Sequence, residues 1–142
     1  MNVVNKYKVI SDWLTSYPKL YDWLYFNATQ MINDNTSLNS VSGERKINEF
    51  IDGSYIAELY FSISMVKGYD SETSLTNIDS IFEIENFMDW IDNDDNIKNL
   101  NFGASVNLLE IDVMQNVPTI LVDKEQNLAK YQFQARIKYI QN

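Results

Sequence analysis

Asp92, Asp94 and Asp95, with Asn96 beside them, are the residues whose spacing most invites chemistry. Read from Asp92, "DNDDNIKNLNFG" places oxygen ligands at the first, third and fifth positions of a calcium loop: Asp92, Asp94 and Asn96. Such a loop needs glycine at its sixth position for the sharp turn and a bidentate glutamate at its twelfth. Ile97 and Gly103 stand there instead. The expectation is a solvated helix C-terminus and no metal site, although acids at that end oppose the helix dipole.

The rest of the catalytic inventory is thin. Histidine is absent, which removes the commonest general base and metal ligand. Cysteine is absent too, so thiolate sites and disulfides are excluded. Serines are plentiful, but none sits in Gly-x-Ser-x-Gly, and no histidine exists to activate one. The four glycines, at 43, 53, 68 and 103, compose no phosphate-cradling loop. Twenty acids allow countless carboxylate pairs, so no glycosidase pair stands out. Lys130, Arg136 and Lys138 near the C-terminus read as the solvated face of an acidic protein, and Trp13, Trp23 and Trp90 as core. The expectation is a protein that is not an enzyme and takes no cofactor.

The formal charge of −9 argues against a grip on nucleic acid, because binding a polyanion needs cations to displace its counterions. No run of about 20 apolar residues occurs, so no membrane-spanning helix is expected and the protein reads as soluble. At 142 residues the chain fits one domain, 1–142, with enough length for a real core.

These side chains must be positioned by the following elements. Val3, Val4, Tyr7, Ile10, Trp13 and Leu14 recur at helical spacing, and Pro18 ends that helix near Ser16. Residues 24–32 lean towards strand. "NDNTSLNSVSGE", 33–44, is polar and rich in turn formers, and reads as a surface loop. Residues 45–67 read as a hairpin: a short strand over 46–51, the turn Asp52-Gly53-Ser54, and a return strand over 55–66. In that return strand Ala57, Leu59, Phe61, Ile63 and Met65 alternate with Glu58, Tyr60, Ser62 and Ser64, which implies one buried face and one partly wet. After a loop over 67–77, Asp79 or Ser80 would cap a second helix. Its stripe is Ile81, Ile84, Phe87, Met88 and Ile91, widened by Phe82 and Trp90. Strands over 105–113 and 128–140 close the chain, separated by Pro118 and an "LVDKEQN" turn. The fold expected is α+β: a single antiparallel or mixed β-sheet with two main helices packed on one face.

Three stretches resemble the tail terminator and tail-completion (minor capsid) proteins of tailed bacteriophages. "FIDGSYIAELYFSI", 50–63, is similar to that family's aromatic hairpin around Asp-Gly-Ser. "NIDSIFEIENFMDWIDN", 77–93, resembles its second helix, with Phe shortly before Trp and then an aliphatic and an acid. "AKYQFQARIKYIQ", 129–141, resembles its closing strand. Order and spacing agree over about residues 45–142. Two places depart: the family's Tyr-Gly-x-Asp after the hairpin becomes Gly68-Tyr69-Asp70, and a glycine near the penultimate strand is replaced around Pro118.

The resemblance implies a structural virion protein of the tail neck, made in the host cytoplasm. It would cap the tail tube as a ring, a hexamer in the family's pattern, end tube polymerisation and join tail to head. Its partners would be copies of itself, the tail tube protein, the head-completion or neck protein and, in a sheathed tail, the sheath protein. DNA would pass through the ring without specific binding, which like-charged walls favour. The contact surface is expected on the loops 33–44 and 67–77, on the exposed side of the 55–66 strand and on the open face of the closing strand. Its residues are Tyr60, Tyr69, Asp70, Gln132, Gln134, Arg136 and Lys138. Another head–tail connector, or a small acidic protein-binding regulatory domain, are the alternative readings.

Overall fold

The computed structural model describes residues 3–18, 24–27, 35–69 and 75–142. The elements run α1 (Val3–Leu14), β1 (Leu24–Phe26), β2 (Asn35–Glu49), β3 (Tyr55–Gly68), α2 (Leu75–Asp92), α3 (Asp94–Ile97), β4 (Val106–Val113), β5 (Thr119–Asp123) and β6 (Leu128–Gln141). The six strands form one mixed sheet in the order β1-β2-β3-β6-β4, with β5 also on β6. Among the described residues only the β1–β2 pair is parallel. The α+β class is as the sequence implies.

The sheet has one face built for burial. β3 and β6 pair without a slip from Tyr55↔Gln141 to Gly68↔Leu128. Ala57, Leu59, Phe61, Ile63 and Met65 therefore stand beside Tyr139, Ile137, Ala135, Phe133 and Tyr131, all buried. Both helices cover this face. α1 contributes Tyr7, Ile10, Trp13 and Leu14, and α2 contributes Ile84, Phe87, Met88 and Ile91, to one continuous core. Aromatic rings join the layers: Tyr17 stacks on Phe87 at 4.6 Å, Phe87 meets Phe133 edge-on at 6.1 Å, and Trp13 stacks on Trp90 at 5.0 Å. Offset and edge-on pairs of this kind add to the burial of the rings themselves.

Five expectations change. The polar segment 35–44 is not a loop but the first part of the fifteen-residue β2, paired with β3 from Asn35↔Val66 onward. Residues 33 and 34 lie outside the described residues, as do 28–32 of the expected strand over 24–32, Trp23, and 70–74 of the expected loop. Asp79 and Ser80 do not cap α2, which begins at Leu75. Ser80 is instead buried and hydrogen-bonded to the Tyr131 side chain, while Phe82 points outward rather than widening the stripe. "LVD" of the expected turn belongs to β5, leaving 124–127 as the turn, with Asn127 at φ 55. Asp94 and Asp95 begin the short α3, capped by the Asn93 side chain. Acids at that end complement the helix dipole rather than oppose it.

The turn at the β2–β3 tip forms as expected. Gly53 takes φ 91, which favours glycine, and Phe50 N–H donates to Ser54 O at 2.8 Å. The Asp52 carboxylate accepts from Ser54 N–H and Oγ–H.

Candidate interaction surface

β6 owes its place in the sheet to what lies on each side of it. β3 flanks one side along its whole length, and the other is shared. β4 pairs with 135–141 and β5 with 128–132. Between them Met114 N–H donates to Gln134 O at 2.8 Å, and Gln134 N–H donates to Oε1 of Gln115 at 3.0 Å. The chain's last strand is thus an interior strand. Its backbone groups are satisfied on both sides, as buried backbone requires.

Even-numbered residues of β6 lie on the face opposite the helices. Gln132, Gln134, Arg136 and Lys138 stand in one row, and Tyr60 opposes Arg136 from β3. The structure therefore brings together five of the seven expected surface residues. Tyr69 is not among them: it packs partly buried against the core, its N–H donating to Asn127 O at 2.8 Å. Asp70 lies outside the described residues.

Charge organises the row. Arg136 donates to Glu58 at 3.3 Å, to Glu110 at 2.9 Å, and to Asp112. These acids come from β3 and β4 on either side of it, and the hydrogen bond that Arg136 donates to Asp112 holds the guanidinium charged. Lys138 stands in register between Glu58 and Glu110. Tyr60 donates its hydroxyl to Glu58 at 2.7 Å, which pushes the phenol up from its ordinary range. Arg136 is committed inside the chain and is not the spare solvated cation expected of this face. The Ser62–Ser64 end is also drier than the alternation implies. These small side chains sit in register between Asn39 and Ser37 of β2 and Gln134 and Gln132 of β6, and Asn39 Nδ2 donates to Ser64 Oγ at 3.3 Å.

A second polar cluster lies under α1 on the covered face. Lys6 is 1% exposed; its Nζ donates to Glu44 at 2.9 Å and to the Tyr139 hydroxyl at 3.0 Å, and sits 4.3 Å above the Tyr139 ring. Tyr139 in turn donates to Glu44, as does Tyr55 at 3.0 Å. The pairing jumps from Ser40↔Phe61 to Glu44↔Leu59, a bulge with Gly43 at φ 72 that sets Glu44 on the covered side. Burial pushes the Glu44 carboxyl up, but the hydrogen bonds from Lys6, Tyr139 and Tyr55 outweigh it and hold the group below its ordinary value of 4.5. Burial, and then Glu44, push Tyr139 far above the tyrosine range. The sequence reading missed this cluster. Its one local signal was Lys6 itself, four residues before Ile10 and so inside the apolar stripe of α1.

The acidic stretch at 92–96 is used structurally. Asp92 accepts from Val113 N–H at 3.0 Å, tying α2 to β4. Asn96 donates to Trp90 O at 3.0 Å and its carbonyl accepts from Trp13 Nε1 at 2.9 Å. Among the described residues no helix is long and apolar enough to cross a membrane. No protein-family model matches the chain, and a search of curated proteins returned no match.

Proposed function

We propose that the protein is a phage tail terminator, a ring-forming virion component that caps the tail tube and joins it to the head. One observation carries the reading. The three stretches that resemble terminators form a single packed unit: the β2–β3 hairpin pairs with β6 along its length, and Phe87 of α2 seals Phe133 of β6. A resemblance scattered over surface loops would have little force, whereas this one runs through the framework. The open face adds a polar surface on which Lys138 and the Arg136 cluster stand between acids of β3 and β4, suited to polar recognition.

Electron microscopy of tails assembled with and without the protein tests the proposal. Overlong tubes in its absence, restored to uniform length by adding it back, are expected. Tubes of normal length without it would overturn the terminator role and favour another connector or a regulatory protein.

A further inference from the structure

We propose that the open face of the sheet pairs with the same face of a second copy of this chain, about a two-fold axis that runs along the strands between β3 and β6. The inference goes beyond the terminator reading and does not rest on it.

Register places the side chains of this face in rows across four strands. Arg45 of β2 stands beside Glu58 of β3, Glu58 beside Lys138 of β6, and Lys138 beside Glu110 of β4. The row reads cation, acid, cation, acid. The next row towards the hairpin tip runs Asn48, Ile56, Ile140, Asn107, apolar inside and amide outside. On the other side of the charged row, Tyr60 and Arg136 occupy the two central strands, with Asp112 beyond. All of these residues are partly or fully exposed, because α1 and α2 pack on the opposite face.

A two-fold axis along the strands exchanges β3 with β6 and β2 with β4, so each row meets itself reversed. Reversal sets every charge of the first row against its opposite: Glu58 faces Lys138 of the second copy, and Arg45 faces its Glu110. In the next row Ile56 faces Ile140 and Asn48 faces Asn107, apolar on apolar and amide on amide. Tyr60 meets Arg136, a guanidinium against an aromatic ring. Sheets packed face to face within about 30° of alignment are an ordinary arrangement, and a two-fold contact of one patch with itself is the commonest in homo-oligomers.

Charge argues for a second copy over another partner. The chain carries −9. These rows hold Arg45, Arg136 and Lys138 against Glu58, Glu110 and Asp112, three cations and three acids, so the excess lies elsewhere on the molecule. Two copies can share this surface without setting like charges together. Arg136 is engaged by all three acids, whereas among the described residues Arg45 and Lys138 make no ion pair. Those two cations are the ones that the reversed row supplies with acids.

The patch spans roughly 19 Å across four strands and roughly 17 Å along them, which puts the pairing in the weak, transient class. The dimer is therefore expected at high protein concentration. While it lasts, the open face is closed to any other partner.

Sedimentation at rising protein concentration and low salt should show a monomer–dimer equilibrium that weakens as salt rises. Lys138→Glu sets acid against acid twice across the axis, and Glu58→Lys sets cation against cation. Each variant alone should keep the parent's circular dichroism and lose self-association by about tenfold or more, since like charges set together cost affinity. An equal mixture of the two should dimerise again, because each then supplies the charge the other lacks. Arg45→Glu and Glu110→Lys make the same test at the exposed ends of the row, should Glu58→Lys disturb the Arg136 cluster. A monomer at every concentration overturns the proposal. So does a dimer that the single variants keep, and so does a mixture that stays monomeric. None of these outcomes bears on tube length, which tests the terminator reading separately.

Discussion

The two faces of β6 are held by different forces. Tyr131, Phe133, Ala135, Ile137 and Tyr139 are buried under the helices, where stability comes from area removed from water and close fit. One residue over in each case stand Gln132, Gln134, Arg136 and Lys138, and Arg136 among them is held by charge and hydrogen bonding across strands. The first face cannot accept a charge. The second is organised by charges, and its most conspicuous cation is already engaged by three acids of its own chain. Strand alternation says which residues lie on the open face, but not which of them are available to a partner.

The largest expected break is on the covered face. Phe133→Asp should leave no folded protein by circular dichroism. Losing a buried phenylalanine alone costs about 3–5 kcal/mol, and a buried unpaired carboxylate adds to that within a total of about 5–15 kcal/mol. A folded variant would mean that α2 does not seal this face.

Next comes the one place where the covered face uses charge. Glu44→Ala strands the Lys6 ammonium without its carboxylate, and removing one partner of a buried pair costs about 3–5 kcal/mol. Urea titration should show the loss, and Lys6→Met combined with Glu44→Gln should recover much of it. If the single and double variants are equally stable, the cluster is not coupled.

The same cluster predicts a pH window. Glu44's carboxyl is depressed in the fold, so its contribution is present above pH 4.5 and lost as pH falls further. Tyr139's hydroxyl is raised, so its contribution is present below the ordinary tyrosine value of 10.0 and lost as pH climbs past it. Tm should therefore fall at both ends, and Glu44→Ala should flatten the acid limb in particular.

On the open face Arg136→Ala should cost only about 1–2 kcal/mol, since surface pairs are worth little each. The cost should shrink as salt screens the three acids left behind. A deficit that salt does not touch would place Arg136 in packing rather than in charge balance. The smallest effect is expected at Gln134→Ala, within about 0.5 kcal/mol, because the β4–β5 connection engages the Gln134 backbone and not its side chain.

Much of the framework was legible because its signals are local. The β6 alternation, the Asp52-Gly53-Ser54 turn and the Ile84–Ile91 stripe each declare themselves within a few residues. The misreading of 35–44 has a physical cause. Asn35, Thr36 and Ser37 are buried in a strand by pairing with β3 and β1, not by their own apolarity, and strand preference follows such context. β5 was hidden similarly, as five residues whose partners were read as a separate strand beyond a turn. Of the expected surface, Tyr60 and the even residues of β6 were placed by period alone, whereas Tyr69 was turned inward by a hydrogen bond to a distant loop.

The amino-acid sequence alone determined the class of the fold, the buried side of its central strands and the lack of a histidine or cysteine centre. Those follow from composition and from periods of 2 and 3.6 residues. Only the tertiary structure decided that Lys6 is buried beside Glu44, that Arg136 is spoken for, and that β5 pairs with β6. Each depends on residues far apart in the chain, and pairings over such separations are chosen by the packed sheet rather than by any local run of residues.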